Sequence, residues 1–430
     1  MIARATTPSR TAALVERAEA LFPGGVNSPV RAFRSVGSPP LVLARGAGPH
    51  VWDAEGRRLI DYIGAWGPAL LGHAHPRVIG AIVEATANGL ALGATNPLEI
   101  ELGEAIQRAM PSMERLRFTS SGTEAGMSAL RVARAATGRD LVLKFSGAYH
   151  GHSDGLLVEA GSGLATQAIA GSAGVPAAVA ETAIVVPFND RASVARAFAD
   201  HPNRIAAVIV EPVVANVGVI PPAAGYLEHL REVTARHGAL LVFDEVITGF
   251  RLAQGGAQAR FGVQPDLTTL GKVIGGGMPI GAYGGRAEHM DLVAPAGPVY
   301  QAGTLSGHPL SMAAGIATLA ELDPGRYRAL EDSAATLEAG LVEAGKRAAR
   351  EVAVARVGSL LTVFFRSTPP TDAAEALASD RAAYSRFFGA MLDQGVLLPP
   401  SQFEAWFVSM AHGPAEIKAT IDAAGKALAA

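Results

Sequence analysis

Short apolar runs alternate with amphipathic segments through the middle of the chain. The amphipathic segments predict helices over residues 97–110, 123–137, 192–200 and 223–237. This alternation predicts an α/β fold, with a mainly parallel central sheet and helices on both of its faces. The apolar runs that predict strands are residues 115–119, 141–145, 183–186, 206–210, 239–243 and 280–284.

The two ends of the chain have a different pattern. Helical spacing followed by alternation with turns predicts a helix and then a small antiparallel sheet near the start. Toward the C-terminus, helical patterns flank a mixture of strands and helix. The first helix is expected over residues 11–22 and the antiparallel sheet over residues 41–62. The C-terminal helical patterns are residues 310–350 and 414–429, and the mixed segment between them is residues 351–410. The strands expected in the mixed segment are residues 362–365, 396–398 and 406–410.

These patterns predict two domains. A large domain spans residues 61–310, and a smaller α+β domain combines residues 1–60 with residues 311–430. Residues 155–180 are rich in Gly, Ala and Ser, and they are too many for an ordinary connection. Because active-site lids are commonly long loops, we expect a mobile lid over residues 151–181.

The composition is that of a globular protein, with 430 residues, 49% of them hydrophobic and 17% charged. A net charge of −3 without a local Lys/Arg cluster argues against nucleic-acid binding. The absence of Cys excludes disulfides and thiol chemistry and favours a cytoplasmic setting. The acid-free residues 1–11 leave an organelle transit peptide as the alternative. No apolar stretch approaches the ~18 residues of a membrane span.

A carboxylate and an amine follow two segments in the middle of the chain. The apolar run 239–243 ends on Asp244, at the carboxyl end of a predicted strand, where functional groups of parallel sheets lie. Lys272 stands between Gly271 and the glycines at 275–277, which predicts a loop. A buried Asp needs a cationic partner. Pyridoxal phosphate provides one, because its aldehyde forms a Schiff base with lysine and its ring nitrogen pairs with aspartate.

From these residues alone, two other interpretations of Asp244 stay open. A strand that ends in Asp-Glu is also typical of the metal-binding Asp of nucleotide hydrolases. That interpretation requires a Gly-x-x-x-x-Gly-Lys-Ser/Thr loop, which the chain lacks. A lone buried Asp is otherwise most often a structural group with satisfied hydrogen bonds.

A second candidate site begins at Ser121, where a predicted strand gives way to a predicted helix. Ser121 and Glu124 have the spacing of a capping box, and Gly122 lets the backbone approach a ligand closely. The free amides and the dipole at a helix start bind anions, so this turn suits a phosphate. The alternative is a well-capped helix without a ligand.

Other polar residues also follow predicted strands. Tyr149 can lie flat on a planar ring or pack in the core. Asn216 can donate to a phenolic oxygen, and Glu211 requires a partner if it is buried. His73 and His75, like His150 and His152, have the spacing of a metal pair. No third potential ligand stands at a spacing typical of metal sites, so no metal site is predicted.

Seven segments together resemble one known family. They are PGGVNSPVR at 23–31, WGP at 66–68, SGTEA at 121–125, YHGH at 149–152, DEVITGFR at 244–251, LGKVIGGG at 270–277 and QAGTLSG at 301–307. The Asp…Lys and Gly-Thr-Glu-Ala motifs are typical of all class III aminotransferases. The first and last segments are similar to those of the glutamate-1-semialdehyde 2,1-aminomutases within that family. The resemblance runs from about residue 20 to the C-terminus.

The resemblance implies a fold-type I transferase that uses pyridoxal 5'-phosphate and pyridoxamine 5'-phosphate. The implied activity is intramolecular amino transfer, which converts the amino-aldehyde carboxylate glutamate-1-semialdehyde to 5-aminolevulinate for tetrapyrrole synthesis. The implied assembly is a homodimer, without nucleic acid or membrane partners. Two alternatives remain: an intermolecular aminotransferase for an ω- or β-amino acid, and a catalytically silent binding protein on the same fold.

The resemblance also implies site residues by position. Lys272 would carry the Schiff base and move the proton, Asp244 would keep the ring nitrogen protonated, and Tyr149 would stack opposite Val246. The implied cofactor-binding residues are Ser121, Gly122, Thr123, Tyr149, His150, Asn216, Asp244, Val246, Lys272 and Thr304, the last from the second subunit. The implied substrate-binding residues are Ser28, Arg31, Trp66, Ser162 and Glu404.

Four positions depart from the usual pattern of the family. Ala65 stands where many members carry a hydroxyl, and Val214 and Ala215 replace a smaller pair of residues. Trp406 is bulky for its position, and we expect it to narrow the site near Glu404.

Overall fold

The computed structural model describes residues 9–158 and 171–430. In this part of the chain the strands are β1 (Leu43–Ala47), β2 (His50–Asp53), β3 (Arg58–Asp61), β4 (Arg115–Thr119), β5 (Leu141–Phe145), β6 (Ala183–Val186), β7 (Ile205–Val210), β8 (Leu240–Asp244), β9 (Leu267–Gly271), β10 (Gly281–Gly285), β11 (Ala353–Val357), β12 (Leu360–Phe364), β13 (Val396–Leu397) and β14 (Trp406–Phe407).

The α-helices of the described residues range from one turn to 24 residues. They are α1 (Arg10–Leu21), α2 (Pro76–Thr86), α3 (Pro97–Ala109), α4 (Gly122–Thr137), α5 (Ala177–Ala180), α6 (Arg191–Asp200), α7 (Tyr226–His237), α8 (Gly256–Phe261), α9 (Ala287–Met290), α10 (Pro309–Leu319), α11 (Pro324–Arg347), α12 (Ala373–Leu377), α13 (Arg381–Asp393) and α14 (Pro414–Ala429). None of these helices combines the length and the apolarity that a bilayer span requires. Short 3-10 helices lie at Pro23–Gly25, Pro29–Ala32, Arg34–Val36, Gly64–Trp66, Asp154–Leu156 and Lys272–Gly275.

The central sheet has seven strands in the order β4-β10-β9-β8-β7-β5-β6. Six of them run in one direction, and β10 runs antiparallel to both of its neighbours. The predicted α/β fold with a mainly parallel sheet is confirmed. The reversal of β10 was not anticipated, and it brings Gly281 beside both Thr119 and Gly271, at the carboxyl ends of β4 and β9.

Layers of side chains cover both faces of this sheet. Leu241 and Phe243 of β8 pack into one buried cluster, whereas Leu240 and Val242 pack into another. Every residue of β8 is buried, because side chains that alternate in direction are covered on both sides. The apolar run that ended on Asp244 is therefore a central strand, and its last residue is held at the sheet's carboxyl edge.

Of two smaller sheets, one joins the beginning of the chain to its end. In the order β1-β2-β3-β13, the C-terminal β13 pairs parallel to β3, with Val396 beside Ile60. A three-stranded sheet has the order β11-β12-β14, and α11 packs against α14 nearby. This pairing is consistent with a small domain built from both chain ends, although the domain boundaries themselves stay a prediction.

Candidate active site

A cavity of about 350 Å³ lies at the carboxyl ends of the central strands. Segments that follow β4, β5, β7, β8 and β9 contribute its lining, together with the three residues that precede β10. The structure thus brings together nine of the predicted site residues: Ser121, Gly122, Thr123, Tyr149, His150, Asn216, Asp244, Val246 and Lys272.

A larger surface cleft of about 890 Å³ lies at the opposite, amino ends of β8 and β9. Several of its charged side chains form ion pairs with one another. Arg231 lies 2.8 Å from the buried carboxylate of Asp266, which also accepts a hydrogen bond from the Leu241 amide. Nine predicted site residues line the smaller cavity, whereas the cleft is lined by residues to which the sequence analysis gave no site role. The smaller cavity is therefore the better candidate for a site.

The start of α4 forms one wall of the cavity. Ser121 is its N-cap, whose hydroxyl accepts from the Glu124 amide at 3.2 Å, and the Glu124 carboxylate accepts from the Ser120 amide at 2.8 Å. This reciprocal capping fixes the turn and leaves the amides of Gly122 and Thr123 at the helix start. The geometry suits an anion in the cavity.

Asp244 is held by three donors at the end of β8. Its Oδ2 lies 2.7 Å from Nδ1 of His150, and its Oδ1 accepts from the Val246 amide at 3.1 Å and from the Thr269 hydroxyl at 3.2 Å. Complete burial lowers the pKa of His150, although Asp244 opposes the shift. A carboxylate only accepts, so a neutral His150 donates through Nδ1.

Lys272 follows β9 directly and begins a 3-10 helix with a positive φ of 48°. Its side chain lines the cavity, and desolvation lowers the pKa of its amine, while the charges of Asp244, Glu211 and Glu404 oppose that shift. An amine with a lowered pKa is more often neutral, and a neutral amine is nucleophilic. Lysine and aspartate therefore reach one cavity from neighbouring strands, as the sequence predicted.

Val246 packs between two glycines beside the cavity. A Cβ atom on Gly122 would lie 3.1 Å from both methyl groups of Val246, and one on Gly271 would lie 3.3 Å from its Cγ1. Both contacts are tighter than ordinary van der Waals packing, so side chains there would displace Val246. The glycines let the valine form an apolar wall of the site.

Glu211 organises the polar side of the cavity. Its carboxylate accepts from the Tyr149 amide at 2.8 Å, from the Asn216 side chain at 2.9 Å and from the Ala215 amide at 3.1 Å. Burial and the nearby charge of Asp244 raise the pKa of Glu211 to about 8, although these donors oppose the rise. Three N–H groups are thus the partners that the buried Glu211 requires. The hydrogen bond from Asn216 orients the side chain of Asn216.

The other predicted site residues lie outside this lining. Arg31 and Thr304 are exposed, Ser28 and Trp66 are half-buried, and Glu404 is buried close enough to influence the pKa values of Lys272 and Tyr149. Ser162 and the middle of the predicted lid lie outside the described residues. The binding roles given to these residues stay predictions.

Trp406 packs away from the cavity, contrary to expectation. It is fully buried, its ring stacks 6.4 Å from Phe387, and Tyr62 lies 5.6 Å away. Because side chains alternate along a strand, the next residue, Phe407, faces the opposite side and approaches Gly67. Phe407, to which the sequence analysis gave no role, therefore lies beside Gly67, which also contacts the side chain of Lys272.

Arg251 is the other residue near the site to which the sequence analysis gave no role. It ends the motif at 244–251 and is fully buried, with its guanidinium 5.0 Å from the Phe407 ring. Its hydrogen bonds reach segments that are distant in sequence, including the carbonyls of Gly67 and Val408. The only sequence signal was an arginine within a motif, because these contacts depend on tertiary structure.

Comparison with known proteins identifies relatives over almost the whole chain. Residues 33–412 match the model of the class III aminotransferases. The chain is 58% identical to a glutamate-1-semialdehyde 2,1-aminomutase of Thermomicrobium roseum, over 97% of each chain. A crystal structure of an omega-transaminase from Sphaerobacter thermophilus superposes with a TM-score of 0.90 at 34% identity, covering 98% of this chain and 97% of that one. A glutamate-1-semialdehyde-aminomutase variant from Pseudomonas aeruginosa, in complex with PMP, gives 0.86 at 29% identity, covering 97% and 94%.

Proposed function

Because the chain belongs to the class III aminotransferase family, we propose that it isomerises glutamate-1-semialdehyde to 5-aminolevulinate. The substrate carries an amine at C4 and an aldehyde at C5, and the product carries a ketone at C4 and an amine at C5. The observation that carries the proposal is the approach of Lys272 and Asp244 to one cavity, in a chain so similar to an aminomutase. The product is a precursor of tetrapyrroles.

The residues around the cavity fit pyridoxal 5'-phosphate and pyridoxamine 5'-phosphate. When bound, this cofactor supplies an exchangeable amine and an aromatic ring that accepts electrons. The amides at the start of α4 would hold its phosphate, and Val246 and Tyr149 would flank its ring. Asn216, oriented by Glu211, would donate to its phenolic oxygen.

Asp244 holds a negative charge where the ring nitrogen would lie. Hydrogen bonds from His150, Val246 and Thr269 hold its carboxylate in place at the cavity. A buried carboxylate stabilises a protonated ring nitrogen by charge pairing. The neutral His150 adds no competing positive charge, since burial lowers its pKa.

Lys272 would hold the cofactor covalently and, once released, would move a proton between the cofactor and a substrate carbon, C5 in one half of the reaction and C4 in the other. Its lowered pKa supports this role, because only the neutral amine can accept a proton. Proton transfer by a positioned side chain is worth about 10²–10⁴-fold in rate. The isomerisation needs this transfer in both of its halves.

The proposal also includes the substrate-binding residues, the oligomeric state and the cellular compartment. Arg31 would bind the substrate carboxylate, with Ser28, Trp66, Ser162 and Glu404 around the rest of the substrate. Thr304 would reach the cofactor phosphate of a second subunit in a homodimer. Thr304 is exposed and follows Tyr300, whose side chain is 72% exposed, as expected for a segment that another subunit covers. We infer a cytoplasmic setting from the absence of Cys.

One assay tests the proposal against its main alternative. The purified protein, loaded with pyridoxamine phosphate, is given glutamate-1-semialdehyde without any amino donor or acceptor. Formation of 5-aminolevulinate over many turnovers supports the aminomutase. The structural similarity to an omega-transaminase favours the alternative of an ω- or β-amino acid aminotransferase. That enzyme would give at most one turnover here, and it would require a second substrate to continue.

A further inference from the structure

Arg251 is a fully buried cation with no acidic partner in the described part of the chain. Its Nη1 donates to the Ser359 hydroxyl at 3.1 Å and to the Val408 carbonyl at 3.2 Å, and its Nη2 donates to the Gly67 carbonyl. Among the described residues, no carboxylate lies within ion-pair distance of its guanidinium. Burying an unpaired charge is unfavourable, so this arginine requires an explanation that packing does not provide.

The Gly67 carbonyl connects Arg251 to Lys272. Gly67 has a φ of 121°, and a Cβ atom on it would lie 2.8 Å from Cδ of Lys272 and 3.3 Å from Cε1 of Phe407. The Gly64–Trp66 turn and Gly67 therefore lie directly along the methylene chain of the lysine. Arg251 donates to the carbonyls of both Gly67 and Val408, and it thereby links this turn to the residue that follows β14.

We propose that Arg251 is a positioning residue for Lys272. It fixes the turn that lies along the methylene chain of the lysine, and it places a second buried positive charge among the side chains that surround the lysine. The inference rests on the proposed function only in that Lys272 holds the cofactor. It does not depend on which amino compound is the substrate.

The charges around Lys272 oppose one another. Asp244, Glu211 and Glu404 raise the pKa of the amine, whereas burial and the charge of Arg251 lower it. Burial lowers the pKa of Arg251 itself to about 9, so the guanidinium is charged at neutral pH, and Tyr327 is the titratable group that faces it. Arg251 thus partly offsets the charges of Asp244 and Glu404, which favour the protonated lysine, and that of Glu211 once it ionises at a pH of about 8.

The test is a pH titration of the visible absorbance of the cofactor bound to Lys272, in the whole enzyme without substrate. Arg251→Met removes the charge and the tether to Gly67, and Arg251→Gln removes the charge but keeps a donor. Ser359→Ala is the matched control, because it removes one hydrogen bond of Arg251 and leaves the charge. We expect both arginine variants to raise the midpoint by about one pH unit and the control to leave it unchanged. Cofactor content is expected to fall more in Arg251→Met than in Arg251→Gln.

Three results would overturn the inference or its premise. An unchanged midpoint in Arg251→Gln, which decides the matter if Arg251→Met does not fold, would remove the role of the charge. An equal shift in Ser359→Ala would indicate general loosening of the site. A wild-type chain that takes up no cofactor would overturn the proposed function as well. Bound cofactor with no 5-aminolevulinate formed would overturn the proposed substrate alone and leave Arg251 in its role.

Discussion

Nδ1 of His150 lies 2.7 Å from Oδ2 of Asp244, and both side chains are buried. His150 lies in the segment that follows β5, and Asp244 is the last residue of β8. Their contact gives the buried aspartate a neutral donor and leaves its charge uncancelled for a ligand. This is the arrangement expected of a carboxylate that must stay ionised in order to pair with a ring nitrogen.

Replacing His150 by Leu is expected to weaken cofactor binding roughly tenfold. A hydrogen bond to a charged group contributes about 1.5–3 kcal/mol, and without it Asp244 is less well oriented and less stable as an anion. Equilibrium titration of the enzyme with pyridoxal phosphate measures the loss. His152→Leu, two residues along and exposed, is the matched control. Equal affinities for all three proteins would contradict the role of His150.

Replacing Lys272 by Ala is expected to abolish turnover and to leave cofactor bound. The phosphate and ring contacts do not involve the lysine, so the variant keeps noncovalent affinity, whereas the proton transfer loses about 10²–10⁴-fold or more. Steady-state formation of 5-aminolevulinate and the cofactor content after denaturation are the two measurements. Lys418→Ala, at an exposed site, serves as the control. Normal turnover by Lys272→Ala would remove the lysine from the mechanism.

Replacing Arg31 by Ala is expected to raise KM about tenfold while kcat changes much less. A carboxylate held equally in the ground state and the transition state contributes uniform binding, and its loss appears in KM. Arg31 is exposed in this single chain, as is Arg34, which provides the matched Arg34→Ala control. If Arg31→Ala has the wild-type KM for glutamate-1-semialdehyde, Arg31 does not bind the substrate carboxylate.

The raised pKa of Glu211 predicts a pH-dependent contribution to stability. Burial lifts this pKa from 4.5 to about 8, so the folded state binds the proton more tightly than the unfolded state. The resulting stabilisation is complete below the unfolded pKa and is lost as the pH rises toward about 8. As the pH rises from 4.5 to about 8, the wild-type protein should therefore lose stability relative to Glu211→Gln.

Thermal unfolding across this pH range measures the difference between the two proteins. Glu211→Gln is expected to be less stable than the wild type throughout, because its amide places a donor against the N–H groups of Ala215 or Asn216. The gap in Tm between them narrows as the pH rises. Glu228→Gln, at an exposed carboxylate, should show no such trend. A gap that stays constant would mean that Glu211 is ionised throughout.

Local signals in the sequence predicted most of the sheet that carries the site. The predicted strands 115–119, 141–145 and 183–186 coincide with β4, β5 and β6, and the helix over 123–137 differs from α4 by one residue. Strand β9 was missed, because Thr268, Thr269 and Gly271 interrupt its apolar residues. In the structure both threonines are buried, and Thr269 donates to Asp244, so tertiary contacts made a polar segment into a central strand.

The sequence by itself determined the chemistry at each strand end: an aspartate after one apolar run, a lysine before a glycine run, and a capped helix start. These are local features, because an apolar run and a helix cap are both set by residues a few positions apart. Only the tertiary structure decided which of these ends meet and what supports them. The contacts of Arg251 with Gly67, the turn of Phe407 toward Gly67 and of Trp406 away from it, and the reversal of β10 all depend on packing between segments far apart in the chain. Such packing is a property of the whole folded core, and no short stretch of sequence encodes it.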